Sequence, residues 1–263
     1  MQLPTLGMQM DWLQITIAIT GGLFAGIINT LAGNGSAITL TILTEVLGLP
    51  GNVANGTNRI GILAQGMASV RFFWKHNHQA IERARWWILI IFCGAMVGVW
   101  VATAVSNEVF KQIFSYLMIG MLVVTLINPK RWLRTSDLEW KMPWMLSIPI
   151  FFILGFYGGF IQMGMGVFFL AVMVLVARYD LIDSNAIKNV VVVLYTAVVL
   201  VIFHLKGLVD WPVGLVIAIG QATGGWLAAR FATRIPAANR WAYWLLIAVV
   251  VLSIFKLFGW WPL

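Results

Sequence analysis

Two short polar stretches stand out within apolar sequence: Asn55-Gly56-Thr57-Asn58-Arg59 and Asp183-Ser184-Asn185-Ala186-Ile187-Lys188-Asn189. Each opens an apolar segment, which places it at the N-terminal end of a helix. Free backbone N–H groups and the positive dipole end there suit an anion. An arginine adds a bidentate fork for a sulfonate, sulfate or carboxylate, and a lysine adds a point charge. Charges inside apolar spans are costly and commonly functional, so Arg59 and Lys188 are candidates for an anion site. The plainer reading is that the Asn, Thr and Ser residues cap helix starts and that both cations snorkel to an interface.

A third stretch, Gly21 to Ser36, is apolar enough for a membrane yet holds Gly21, Gly22, Gly26, Gly33 and Gly35 with Asn29 and Asn34. Glycine and amides weaken a lipid-facing helix, and irregular backbone at membrane depth survives only where protein buries it or a cavity adjoins it. The stretch is therefore predicted to be a broken helix lining an internal site. Its Asn29, and Gln162 in the second half, serve equally well as substrate contacts or as interhelical hydrogen bonds.

The elements that must hold these residues are membrane helices. Of 263 residues, 61% are hydrophobic and 10% charged, against roughly 25% charged in a soluble domain. Apolar runs of about twenty residues suit helices rather than the ten-residue strands of a membrane barrel. Ten apolar segments are read, at 12–33, 36–48, 54–74, 86–105, 110–128, 144–163, 166–178, 187–204, 212–230 and 241–258. Segments 36–48 and 166–178 are short for a span of about twenty residues. Each follows a glycine-interrupted segment, so each pair is read as a re-entrant or broken-helix hairpin.

The two halves echo each other, a transporter signature. Gly22-x3-Gly26-x2-Asn29 matches Gly155-x3-Gly159-x2-Gln162, and Gly33-Asn34-Gly35 matches Gly164-Met165-Gly166. Leu49-x4-Ala54-x2-Thr57 lines up with Leu181-x4-Ala186-x2-Asn189, and Gly94-x3-Gly98-x-Trp100 with Gly220-x3-Gly224-x-Trp226. The expected fold is an all-α integral membrane protein, one transmembrane domain over 1–263. It comprises two inverted five-segment repeats, about 12–128 and 144–258, each with a hairpin and three spanning helices.

Charge orients the repeats. The basic residues of 71–85, 130–141 and 230–240, with Arg178, fall on one side, and Lys111, Lys206 and Lys256 on the other. With Arg59 and Lys188 set aside, the seventeen cations divide twelve to three, which makes the rich side cytoplasmic and leaves both termini outside. Basic residues placed this way orient spans and do not indicate nucleic acid. Tryptophans near span ends form an aromatic belt. Glu45 is read at the outer interface, and His76 and His78 in a basic cytoplasmic loop where a metal site lacks further ligands. A lone Cys93 makes no disulfide framework, and no Walker-type glycine loop points to ATP. No cofactor is expected.

At Gly22-x3-Gly26-x2-Asn29-x3-Gly33-x-Gly35, Gly48-Leu49-Pro50 and Ala54-Asn55-Gly56-Thr57-Asn58 the sequence resembles the sulfite exporter TauE/SafE family. A weaker echo follows in the second half, and Gly33-Asn34-Gly35-Ser36 stands where the family usually has denser glycine. The resemblance implies transport of a sulfur-containing anion such as sulfite, sulfoacetate or another organosulfonate across the bacterial inner membrane. It singles out Asn29, Asn34, Thr57, Asn58 and Arg59 as substrate contacts, to which the repeat adds Gln162, Lys188 and Asn189. The expected partners are the small anion, membrane lipids and a second copy in a homodimer. The alternatives are a permease for another small carboxylate or inorganic anion, an anion channel and a non-transporting subunit. An enzyme would need a nucleophile–base pair or converging metal ligands within the spans, and the sequence offers neither.

Overall fold

The structure is a computed structural model that describes residues 10–106, 136–137, 139–140, 142–232, 234, 241 and 244. The expected segments 110–128 and 241–258 lie almost wholly outside the described residues. So do the first nine residues, the C-terminal end, Lys111, Lys256, the four cations of 130–141 and Arg240.

Helix α1 (Trp12–Leu31) starts at a capping box in which Asp11 accepts from the Gln14 N–H at 2.7 Å and the Gln14 side chain accepts from Asp11 N at 3.1 Å. Helix α2 (Gly35–Thr41) continues into a π-helical turn, Ile42–Val46. Then come α3 (Gly51–Arg83), α4 (Arg85–Ala102), α5 (Trp144–Phe160) and α6 (Met165–Ala171), the last also continued by a π-helical turn, Val172–Val176. Helices α7 (Leu181–Leu205) and α8 (Trp211–Ala232) follow. Among the described residues there is no strand. Four helices among the described residues (α1, α4, α7 and α8) are long and apolar enough to cross a membrane, while Gly35–Val46, Trp144–Phe160 and Met165–Val176 are shorter apolar pieces.

Helix α3 outruns its expected end at residue 74 and continues to Arg83, so the basic stretch 71–85 is helix rather than loop. Lys75, Gln79, Ala80, Glu82 and Arg83 are good helix formers whose polarity hides that from an apolar count. Asn77 interrupts the helix at φ −126°, ψ 23°.

The pieces recur at a constant spacing. Helices α2 and α6 start 130 residues apart, as do their π-turns and the starts of α3 and α7. Leu47 N donates to Ile42 O and Ala177 N to Val172 O; Leu49 N donates to Leu43 O and Tyr179 N to Met173 O. Gly48 and Arg178 hold matching left-handed conformations, φ 67° and 64°. The sequence match of Leu49 with Leu181 therefore runs two residues out of step with the backbone.

Small residues let the halves interlock. A Cβ on Gly22 or Gly26 of α1 would strike the α8 backbone at Ile217 or Gln221, and one on Gly220 or Gly224 would strike α1 at Ile19 or Leu23. Gly94 and Gly98 of α4 meet Phe152 and Phe156 of α5 in the same way, while Gly155 and Gly159 meet Ile91 and Ala95. Small residues every fourth position bring membrane helices into backbone contact. The outer faces present Phe24, Leu89, Trp100, Ile153, Leu194 and Ile219, which suit lipid. Helix α3 carries polar residues that lipid would not tolerate, and Val53 to Ile62 are buried without interruption among the other helices.

Candidate functional site

The two broken helices end deep inside the protein. α2 folds back along α1, with Gly35 against Ala25 and Asn29, and Ile42 against Gly21. The turn between them is Gly33, at φ 82°, a conformation glycine adopts without a Cβ penalty. It touches the first turn of α6: a Cβ on Gly33 would fall on the Gly166 backbone, and one on Gly166 on the Gly33 backbone.

Arg59 and Lys188 sit at these ends. Arg59, fully buried, donates from Nη1 to the Gly158 carbonyl at 2.8 Å and to Gln162 Oε1 at 2.6 Å, and from Nη2 to the Gly159 carbonyl at 3.2 Å. Its guanidinium carbon lies 5.7 Å from the centre of the Phe203 ring. Lys188 Nζ donates to the carbonyls of Asn29 at 2.7 Å and Thr30 at 3.1 Å, and to Asn185 Oδ1 at 2.6 Å. Among the described residues neither cation has a carboxylate partner; the one ion pair there joins Arg178 to Asp137 at 3.2 Å. Neither snorkels.

A cavity of about 10 Å³ lies between the halves, lined by Asn29, Gln65, Gln162, Gly166, Lys188 and Asn189 among others. That is room for about one water-sized sphere. Its amides hold one another: Asn29 Nδ2 donates to Gln65 Oε1 at 3.1 Å, Gln65 Nε2 to Thr30 Oγ1 at 3.0 Å, and Ser69 Oγ to Asn189 Oδ1 at 3.1 Å. Gln162 Oε1 also accepts from the Tyr195 hydroxyl at 2.9 Å, which leaves Arg59 one step from the cavity, behind Gln162.

Of the residues singled out in the sequence, Asn29, Gln162, Lys188 and Asn189 line this cavity. Thr57, Asn58 and Asn34 are buried elsewhere. Thr57 Oγ1 accepts from Asp210 N at 2.8 Å, tying α3 to the start of α8. Asn58 Oδ1 accepts from Thr39 at 2.7 Å and Gln221 at 3.2 Å, joining α2, α3 and α8. Asn34 is the N-cap residue of α2. Gln65 and Tyr195, which belong with the site, escaped notice, and Asn185, quoted in the second polar stretch, was not singled out as a contact. A lone amide or phenol inside an apolar run was the available signal for the first two. Glu45 is exposed at the hairpin's far end, where Thr44 donates to it at 3.1 Å.

The helix ends sort into two groups. Asn77, Ser136, Asp137, Arg178 and Asp183 share one network, with Asn77 donating to Asp183 at 2.8 Å and Ser136 to Asp183 at 2.6 Å. Elsewhere, Lys206 lies 5.8 Å from the Trp100 ring, joining the ends of α7 and α4.

Curated relatives match most of the chain. A probable membrane transporter protein of Haemophilus influenzae is 27% identical over 218 residues, 82% of this chain and 84% of its own length. A Sinorhizobium protein named probable membrane transporter protein ORF9 is 26% identical over 210 residues, 79% of each chain. The Escherichia coli probable membrane transporter protein YfcA is 26% identical over 212 residues, 79% of this chain and 77% of its own length. No solved structure matches. The profile described as sulfite exporter TauE/SafE matches residues 18–257. The chain belongs to that family and is a membrane transporter, not an enzyme.

Proposed function

We propose that the chain is a secondary transporter, working by alternating access, for a small sulfur oxyanion such as sulfite, sulfoacetate or another organosulfonate. One observation carries the reading: two buried cations with no carboxylate partner among the described residues stand at and beside a polar cavity between the halves. A buried charge without a counter-ion is expensive, and an arriving anion offsets that cost. Lys188, Asn29, Gln162 and Asn189 meet the substrate first, and Arg59 reaches it through Gln162. Asn34, Thr57 and Asn58 frame the site from behind.

In this reading the halves are inverted repeats within one transmembrane domain, and the hairpins re-enter from opposite faces of the bacterial inner membrane. The network around Asp183 faces the cytoplasm, and both termini lie outside. A cavity of water size supports a carrier over an open channel, because a sulfonate enters only after the amides part. Outward movement of one negative charge is favoured by about 2.3 kcal/mol per 100 mV, interior negative, so export needs no coupled ion. Flux of sulfite, sulfoacetate and taurine in proteoliposomes tests the reading. Saturable flux of at least one is expected, and absence of flux for all three overturns it.

A further inference from the structure

The last carbonyls of a helix lack partners within it, and both broken helices take partners for theirs from the opposite half, although the Asn29 carbonyl also accepts from Gly33 N at 3.1 Å. At the end of α1, Lys188 takes the carbonyls of Asn29 and Thr30, and Asn185 Nδ2 takes that of Leu31 at 2.9 Å. At the end of α5, Arg59 takes those of Gly158 and Gly159, and Asn55 Nδ2 takes that of Phe160 at 3.2 Å. The order is the same in both: a cation holds the two penultimate carbonyls and an amide holds the last. Asn55 and Asn185 are 130 residues apart, in register with the backbone repeat.

The negative end of a helix dipole helps a buried cation to stay charged. Carbonyls bear only partial charge, however, and a full oxyanion is the stronger acceptor. Lys188 Nζ has three N–H groups, and all three are engaged, by Asn29, Thr30 and Asn185. An oxyanion beside it gains a bond only where one of these three acceptors loses one, and two of the three are helix-end carbonyls.

Resting on the anion reading above, we propose that Arg59 and Lys188 are latches, each bolting the broken helix of the opposite half, and that the substrate anion draws them off. Loading then leaves Asn55 and Asn185 holding the two tips, and Gly33 and Gly166 are free to part. The same bonds that recognise the anion keep the unloaded protein shut. Arg59 and Lys188 thus position the hairpins as well as bind.

The test uses the whole chain with Cys93→Ser and one reporter, Ala32→Cys or Ile161→Cys. Both positions are fully buried and follow directly on the ends of α1 and α5. Iodoacetamide alkylation is timed by mass spectrometry. Without anion, Lys188→Gln is expected to speed reaction at position 32 about tenfold, the scale of losing a charged hydrogen bond, and to leave position 161 unchanged. Arg59→Gln does the reverse. Equal effects at both positions, or none, overturn the latches. Sulfoacetate is expected to speed both reporters over the concentration range in which calorimetry shows it to bind. Binding without acceleration overturns the competition and leaves the anion reading standing. Failure of both sulfoacetate and sulfite to bind overturns the anion reading, while the crossed pattern without anion still decides the latches.

Discussion

Gly33 and Gly166 occupy one point of the protein, each standing where the other's side chain would be. The turn of the first hairpin rests backbone to backbone on the start of the short helix in the second. Gly166 also lines the cavity that Asn29, Gln162, Lys188 and Asn189 share.

Alanine at either glycine is therefore expected to push the hairpins apart. Overpacking costs roughly 1–3 kcal/mol, and at Gly33 the left-handed φ of 82° adds about 1–2 kcal/mol. Thermal unfolding in detergent should show Gly33→Ala less stable than Gly166→Ala, and both below the parent. Equal stability of all three would mean that the tips do not touch.

Asp180 caps α7, accepting from the Asp183 N–H at 2.8 Å. Burial, reinforced by the neighbouring Asp183 charge, pushes its carboxyl above the usual 3.8 despite the hydrogen bonds it receives. The folded state then holds the proton longer than the unfolded chain, so this group's contribution to stability falls as pH rises from 3.8 through the raised value. Asp180→Asn keeps a capping oxygen and should flatten that part of the pH dependence. Melting temperatures measured across pH 3 to 7 check it, and an unchanged slope would contradict it.

The two groups of helix ends lie on opposite sides of the membrane in the proposed topology. In a Cys93→Ser background, Lys75→Cys should react with an impermeant thiol reagent from the cytoplasmic side and Lys206→Cys from the outside. Labelling of both from one side would refute the orientation.

Much of the frame was legible in sequence because membrane burial writes itself as long apolar runs. The ends of α1, α4, α5, α7 and α8 lie within a few residues of the expected segments, apart from the first turns of α7, which are polar. The short hairpin helices were visible because their length falls below a span. Arg59 and Lys188 stood out because cations in such runs are rare. Their partners were not legible. Arg59 bonds to residues about 100 positions away, and Lys188 to residues about 160 away, and nothing in local spacing records which carbonyl a cation will meet. Asn55 and Asn185 looked like ordinary helix-start amides; their shared role depends on where the opposite helix stops. The two-residue slip in the repeat came from matching leucine and alanine, which recur often in apolar sequence.

The most direct test of the central claim is the affinity of the purified protein for sulfoacetate, compared with Arg59→Gln and Lys188→Gln. Each variant keeps an amide donor and loses the charge. Charged hydrogen bonds are worth about 1.5–3 kcal/mol, so each is predicted to bind sulfoacetate about ten- to a hundredfold more weakly, with Lys188→Gln, at the cavity wall, the more affected. Unchanged affinity in both variants would show that the buried cations serve the helix ends alone and that the anion is recognised elsewhere.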